Sequence, residues 1–295
     1  MNKKTMMLTM CMVAVANVAS AVVNVPSGVT GLWRFESLDN NTGRATMGAT
    51  IGTDLSNSNV NNGGYLPDVS IQIGTESTPF LYQDGGTAQT RSHDWFTATH
   101  GISPNGGGSY VNEYTLLWDF RQTSGLTSWN SFLQTGTPVV DTGASDGDLF
   151  TNPTGQIGIG AVGYSAESYD VSNWNRVVLS VDNGNFFRVY VNGELFLDGA
   201  GQPVDGRFSL DPQVHIMIDN NWEDQWGNLG TFMTWDHALT TSQVAGMGGW
   251  EEDQSTATGN PFPTPLIMAD PIPEPSSMIL FGLGLTSLFA VRRRS

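Results

Sequence analysis

Trp174-Asn175-Arg176-Val177-Val178-Leu179-Ser180-Val181-Asp182-Asn183-Gly184-Asn185-Phe186-Phe187-Arg188-Val189-Tyr190-Val191-Asn192-Gly193-Glu194-Leu195-Phe196-Leu197 is the stretch that decides the fold. Arg176 to Val181 is rich in β-branched residues and reads as a strand. Asp182-Asn183-Gly184-Asn185 is a turn. Phe186 to Val191 reads as a second strand, with Phe187, Val189 and Val191 on one face and Arg188 and Tyr190 on the other. Asn192-Gly193 suits a type I′ hairpin turn, since both positions tolerate positive φ. Glu194 to Leu197 returns as a third strand. A slip of one residue would turn the Phe-Val-Val face into water, so the pattern fixes the register of this meander.

Outward from it, Gly, Asn, Ser and Thr separate short aromatic and β-branched clusters, and long helical periodicity is missing. Further strands are expected at Gly31 to Glu36, Tyr114 to Phe120, Gln156 to Ala161, Val214 to Asp219 and Gly230 to Asp236. Residues 37–110 are loop-rich. One short helix is expected from Thr241 to Ala245, with Thr240 and Gln243 as a capping box and Gly246 as its stop. The pattern predicts an all-β chain, a two-sheet antiparallel sandwich over residues 22–250. Residues 251–272 form a Pro- and Thr-rich linker.

Both ends carry targeting signals. Lys3 and Lys4 precede an apolar run from Met6 to Val18, and Ala19-Ser20-Ala21 is an A-x-A cleavage site, so residues 1–21 read as a signal peptide. That implies passage through the Sec machinery and a helical leader. Removing it removes Cys11, the only cysteine, so disulfides, thiol nucleophiles and thiolate metal sites are excluded from the body. At the other end, Pro273-Glu274-Pro275 precedes an apolar helix from Met278 to Val291 and then Arg292-Arg293-Arg294. Prolines keep the approach extended, and the arginines favour the cytoplasmic face. The apolar run is 14 residues long, against about 20 for a stable span, which suits a transient stop in the inner membrane.

The ends also hold five of the 12 lysines and arginines, leaving the body seven arginines and no lysine. The body is therefore more acidic than the whole chain, whose formal net charge is −16. Such a body has no long-range attraction for nucleic acid.

The tail over residues 273–295 resembles the PEP-CTERM sorting signal. That resemblance implies an exosortase partner that cleaves near the Pro-Glu-Pro motif, and a final place at the cell surface or outside the cell. The body resembles the laminin-G-like, concanavalin-A-like jelly roll. The likeness lies in Gly31-Leu32-Trp33-Arg34-Phe35-Glu36, Trp174-Asn175-Arg176-Val177-Val178, Tyr190-Val191-Asn192-Gly193, and the run from Phe232 to Val244. It implies two antiparallel sheets, one of them often used for glycans, and often a calcium ion at the rim.

Catalytic patterns are missing. Jelly-roll glycan hydrolases place two acids on one strand as E-x-D-x-x-E, and no such run occurs. Trp222-Glu223-Asp224 would point adjacent acids to opposite faces. There is no G-x-S-x-G, no H-E-x-x-H, no P-loop and no dinucleotide fingerprint. Calcium prefers carboxylate and carbonyl oxygens. Asp141, Asp146 and Asp148 offer them in one loop, and Asp219, Asn220 and Asp224 in another, although turn formation explains such residues equally well. For sugar, Trp222 and Trp226 stand in the polar run Asn220-Asn221-Trp222-Glu223-Asp224-Gln225-Trp226-Gly227-Asn228. That makes Trp222, Asp224 and Trp226 candidate ligand-binding residues. The expected role is a non-catalytic, exported module that contacts extracellular polysaccharide. An adhesive or matrix component without a defined ligand, and a glycan hydrolase with an unrecognised site, stay open as alternatives.

Overall fold

The structure, a computed structural model, describes residues 25–34, 46–47, 49–57, 65–66, 70–73, 82–84, 87–89, 96–122, 126, 128–135, 147–217, 223 and 227–249. Its frame is a pair of antiparallel sheets, with a small two-stranded ribbon beside them. The meander read from the sequence forms the strands Asn175–Asp182, Phe186–Val191 and Glu194–Ala200 at one edge of the first sheet. Val177 pairs with Val191 and Val181 with Phe187. Asn192 at φ 52° and Gly193 at φ 84° supply the positive φ values of the expected turn.

The first sheet continues through Glu113–Gln122 and Gly227–Trp235. The far side of Gly227–Trp235 is shared. Ser70–Ile73 pairs with its beginning and Val29–Arg34 with its end. The second sheet runs, in order, Gly163–Tyr164, Ile157–Ile159, Leu149–Thr151, Asn130–Gln134, Gln213–Ile216, Phe96–Thr99, Leu55–Asn57 and Thr46–Met47.

Alternation sends Phe187, Val189 and Val191 into the space between the sheets, where they join Trp33, Trp118, Phe132 and Phe232. Trp33 stacks on Phe232 at 5.3 Å, and Trp118 meets Phe132 edge-on at 5.8 Å. Each such buried side chain contributes about 1.5–3 kcal/mol.

The other face of the first sheet is buried as well. Leu117, Val178, Tyr190, Met233 and Trp235 form a second apolar layer under Val25, Leu239, Val244 and Met247. Tyr190, expected opposite the core face, is therefore covered by the helix Thr241–Met247 rather than by water. That helix starts at the capping box foreseen between Thr240 and Gln243. It runs past Gly246, because burying Met247 extends the apolar contact, and stops at Gly248 at φ 61°.

Candidate functional site

The helix and its neighbours cover part of the outer face of the first sheet, and the second sheet has an outward face of its own. Its direction follows from register. Leu149, Leu133, Ile216 and Phe96 are cross-strand partners in sequence and belong to the core. Their neighbours Gln134, His215 and Thr97 form the next row on the opposite face, with Ser56 as the partner of Thr97. Thr97 Oγ1 and His215 Nδ1 lie 3.0 Å apart, and Gln213 donates to Thr99 Oγ1 at 3.4 Å. Burial lowers the His215 pKa to about 4, so the imidazole is neutral at pH 7 and works as a hydrogen-bonding group. The row is polar and uncharged; Gln134 in it is fully buried, and Thr97 and His215 are half-buried.

Toward the other end of the Asn130–Gln134 strand the same face turns aromatic. Phe150, which is itself buried and joined to the core cluster, Gly158 and Tyr164 are successive cross-strand partners. Gly158 packs too closely on the Gly163 carbonyl to carry a Cβ. Trp129 contacts both rings. It meets Phe150 at 6.0 Å and 85°, and Tyr164 at 5.4 Å and 56°. Phe150 is buried, whereas Trp129 keeps 36% of its surface exposed. A bulge between Ser131 and Leu133 marks this strand. It places both Phe132 and Leu133 in the core and leaves Ser131 with the outward set.

A groove of ≈ 560 Å³ opens on the other side of the molecule, beside the start of the helix. Its lining includes Glu113, Asp182, Phe186, Arg188 and His237. Glu113 and Asp182 are direct cross-strand partners, so two carboxylates stand side by side on one face. Asn185 donates to Asp182 Oδ1 at 2.9 Å. Arg188 is held by Asp198 at 2.6 Å and lies 4.2 Å from the centroid of Phe186. No linear motif reveals this pair, because the two acids come from different strands.

Of the residues singled out by sequence, Trp222, Asp224 and Trp226 lie outside the described residues, as do Asp219 and Asn220. Glu223 between them is described, and its carbonyl accepts from Ser131 N at 2.7 Å. Glu223 is thereby anchored two residues from Trp129. Asp141 and Asp146 also lie outside the described residues, whereas Asp148 is buried. Its carboxylate accepts from Arg207 Nε at 2.9 Å and from Thr135 N and Oγ1 at 2.8 Å each. Burial pushes its pKa up, and Thr135 and Arg207 counter that shift. An internal cation and a loop anchor thus account for Asp148. Among the described residues, no group of three or more His, Cys, Asp or Glu is placed to hold a metal ion. Pro273, Glu274, Pro275, Arg292, Arg293 and Arg294 lie outside the described residues, as do the two helices expected at the chain ends.

Residues 271–294 match the model of the PEP-CTERM protein-sorting motif. The chain carries a PEP-CTERM sorting motif. No helix among the described residues is long and apolar enough to cross a membrane. No curated protein matches the chain. Among solved structures, Trypanosoma rangeli sialidase in complex with 2-keto-3-deoxy-D-glycero-D-galacto-2,3-difluoro-nononic acid superposes with a TM-score of 0.51 and 16% identity, over 76% of this chain and 33% of its own. The covalent intermediate of the same sialidase with 2,3-difluorosialic acid gives 0.51 and 15%, over 76% and 33%. A botulinum neurotoxin type C structure gives 0.48 and 10%, over 73% and 50%. The chain spans about a third of the sialidase chains it resembles, at 33% of their length. The sialidase likeness is one of fold. It fits the two-sheet sandwich expected from sequence and does not single out the laminin-G group.

Proposed function

We propose that this chain is an exported, exosortase-processed and non-catalytic β-sandwich that contacts extracellular polysaccharide at the cell surface or beyond it. The observation that carries the reading is the sorting motif at residues 271–294 placed behind an acidic sandwich. On the second sheet, exposed Gln213, half-buried Thr97 and His215, and part-exposed Trp129 are the uncharged groups that polysaccharide would meet. Cell fractionation with mass spectrometry of the exported protein tests the delivery. The expected product ends near Pro273-Glu274-Pro275, and an exported form still ending in Arg292-Arg293-Arg294 would contradict processing. A glycan array with the same material tests the contact, and silence across it would favour an adhesive component without a defined ligand.

One observation favours hydrolysis as a second reading, namely Glu113 beside Asp182 in the groove. Glycosidases use two carboxylates about the scissile bond. Reducing-end release from polysaccharide by the wild type, abolished in Glu113→Gln, would support it over the non-catalytic reading.

A further inference from the structure

We infer that Trp129, braced by Tyr164 and Phe150, is a stacking platform for an uncharged pyranose ring. The inference deepens the polysaccharide reading and rests on it. The large buried tryptophans of this fold, Trp33, Trp118 and Trp235, are 0% exposed, so the sandwich readily hides indoles where they serve only packing. Trp129 differs, at 36%. Its ring is nevertheless fixed, because Phe150 meets it edge-on and Tyr164 lies against it at a tilt. Gly158 lies between Phe150 and Tyr164 in register, and its backbone packs directly on that of Gly163 and Tyr164. A fixed, partly exposed indole loses little conformational entropy when a ligand covers it. Its face suits the C–H face of a pyranose, and half-buried Thr97 and His215 lie farther along the same sheet.

Charge selects the kind of sugar. The chain carries a formal net charge of −16. Arg176, Arg188 and Arg207 are each bound to a carboxylate of the chain itself. A polyuronate would approach an acidic surface and be repelled, whereas a neutral glucan would not.

Affinity electrophoresis of the full exported chain through gels containing a neutral β-glucan or a polyuronate provides the test, with Trp129→Ala and Trp129→Phe beside the wild type. The neutral glucan should retard the wild type and the polyuronate should not. Trp129→Ala should weaken retardation about tenfold, or about 1.4 kcal/mol, and Trp129→Phe should restore part of it. Urea midpoints of the three should agree. Should Trp129→Ala fold poorly, soluble neutral glucan should still protect wild-type tryptophan fluorescence from iodide quenching, and should do so less in Trp129→Phe. Equal retardation of wild type and Trp129→Ala, with the wild type still retained, would overturn the platform and leave the polysaccharide reading standing. Retention by the polyuronate alone would overturn the charge argument. Sugar-independent self-association abolished by Trp129→Ala would mark the patch as an interface between copies and overturn the proposal. Failure of the wild type on every glycan would sink both readings together.

Discussion

Arg176 and Asp119 form a doubly hydrogen-bonded ion pair at 2.8 and 3.2 Å, and both side chains are fully buried. The pair joins adjacent strands of the first sheet, where Arg176 and Asp119 are register partners. A third guanidinium bond reaches Met247 O at 2.8 Å, at the end of the covering helix. One cation thus ties the sheet to the helix that seals its outer face. Leaving either charge alone in that layer is costly, so Asp119→Asn or Arg176→Met should each destabilise by about 3–5 kcal/mol. Replacing both with apolar residues should cost less than the sum of the single changes. Urea unfolding of the three variants measures this, and additive losses would refute the coupling.

Acid should weaken the fold before its carboxylates titrate. His100 is buried, with Nε2 against the Asp211 carbonyl and Nδ1 accepting from Ile102 N at 3.1 Å. Protonating Nδ1 would set a donor against that amide. Burial lowers the pKa of His100, and it lowers that of His215 to about 4. Between the ordinary value near 6.5 and these lowered values, the unfolded chain binds more protons than the folded one. Stability from the two histidines is therefore full above about pH 6.5 and falls as the pH drops toward 4. Buried Asp148 has the opposite sign, because its raised pKa favours the folded state as acid approaches the carboxylate range. The urea midpoint should fall between pH 7.5 and 5.0, and His215→Gln should flatten part of that fall. A flat profile in the wild type would refute this account.

Where local rules act alone, the sequence was readable. The meander from Asn175 to Ala200, its Asn192-Gly193 turn and the Thr240–Gln243 capping box depend on neighbours in the chain, and each is found. The second sheet was harder. The strand Asn130–Gln134 hides its period behind a bulge, and Leu149–Thr151 is only 3 residues long. The candidate sites were legible only in part, because they are made by register. Trp129 meets Phe150 and Tyr164 only once their strands pair, and Glu113 meets Asp182 only when two distant strands pair. Asp148 looked like a loop ligand because nothing nearby in sequence announces Arg207.

Two glycines with the same backbone angle separate strain from packing. Gly107 and Gly193 both have φ 84°. A Cβ on Gly107 would meet nothing within 4 Å, whereas one on Gly193 would lie 3.3 Å from Gly248 Cα and 3.5 Å from Ala245 Cα. Gly107→Ala should therefore cost only the left-handed penalty of about 1–2 kcal/mol. Gly193→Ala should cost more, because the hairpin turn must also move off the end of the helix. Thermal melts of the two variants decide it. Equal losses would mean that the helix end yields freely.

Asn112 makes the sharpest test of the loop that closes the sandwich end. It is fully buried, and its Oδ1 accepts from Asp205 N at 2.8 Å, Ser209 Oγ at 2.7 Å and Asn183 Nδ2 at 3.1 Å. Its Nδ2 donates to Asp205 Oδ1 at 2.9 Å. That bond leads the causes that hold the Asp205 carboxyl below its ordinary range, with Ser109 and Tyr110 amides adding to it. Asn112→Ala leaves buried donors unanswered and should cost at least about 2 kcal/mol. Asn112→Asp keeps the shape and the acceptor but sets one carboxylate against another. Two such groups in contact cannot both stay ionised cheaply, so one takes up a proton at a raised pKa. The folded variant then binds more protons than its unfolded chain, and its stability should climb as the pH falls toward 5, while the wild type weakens over the same range. Opposite slopes in paired urea titrations are the expected result. Parallel slopes would mean that Asp205 is held by the backbone amides alone, and that Asn112 serves the loop by shape rather than by its amide proton.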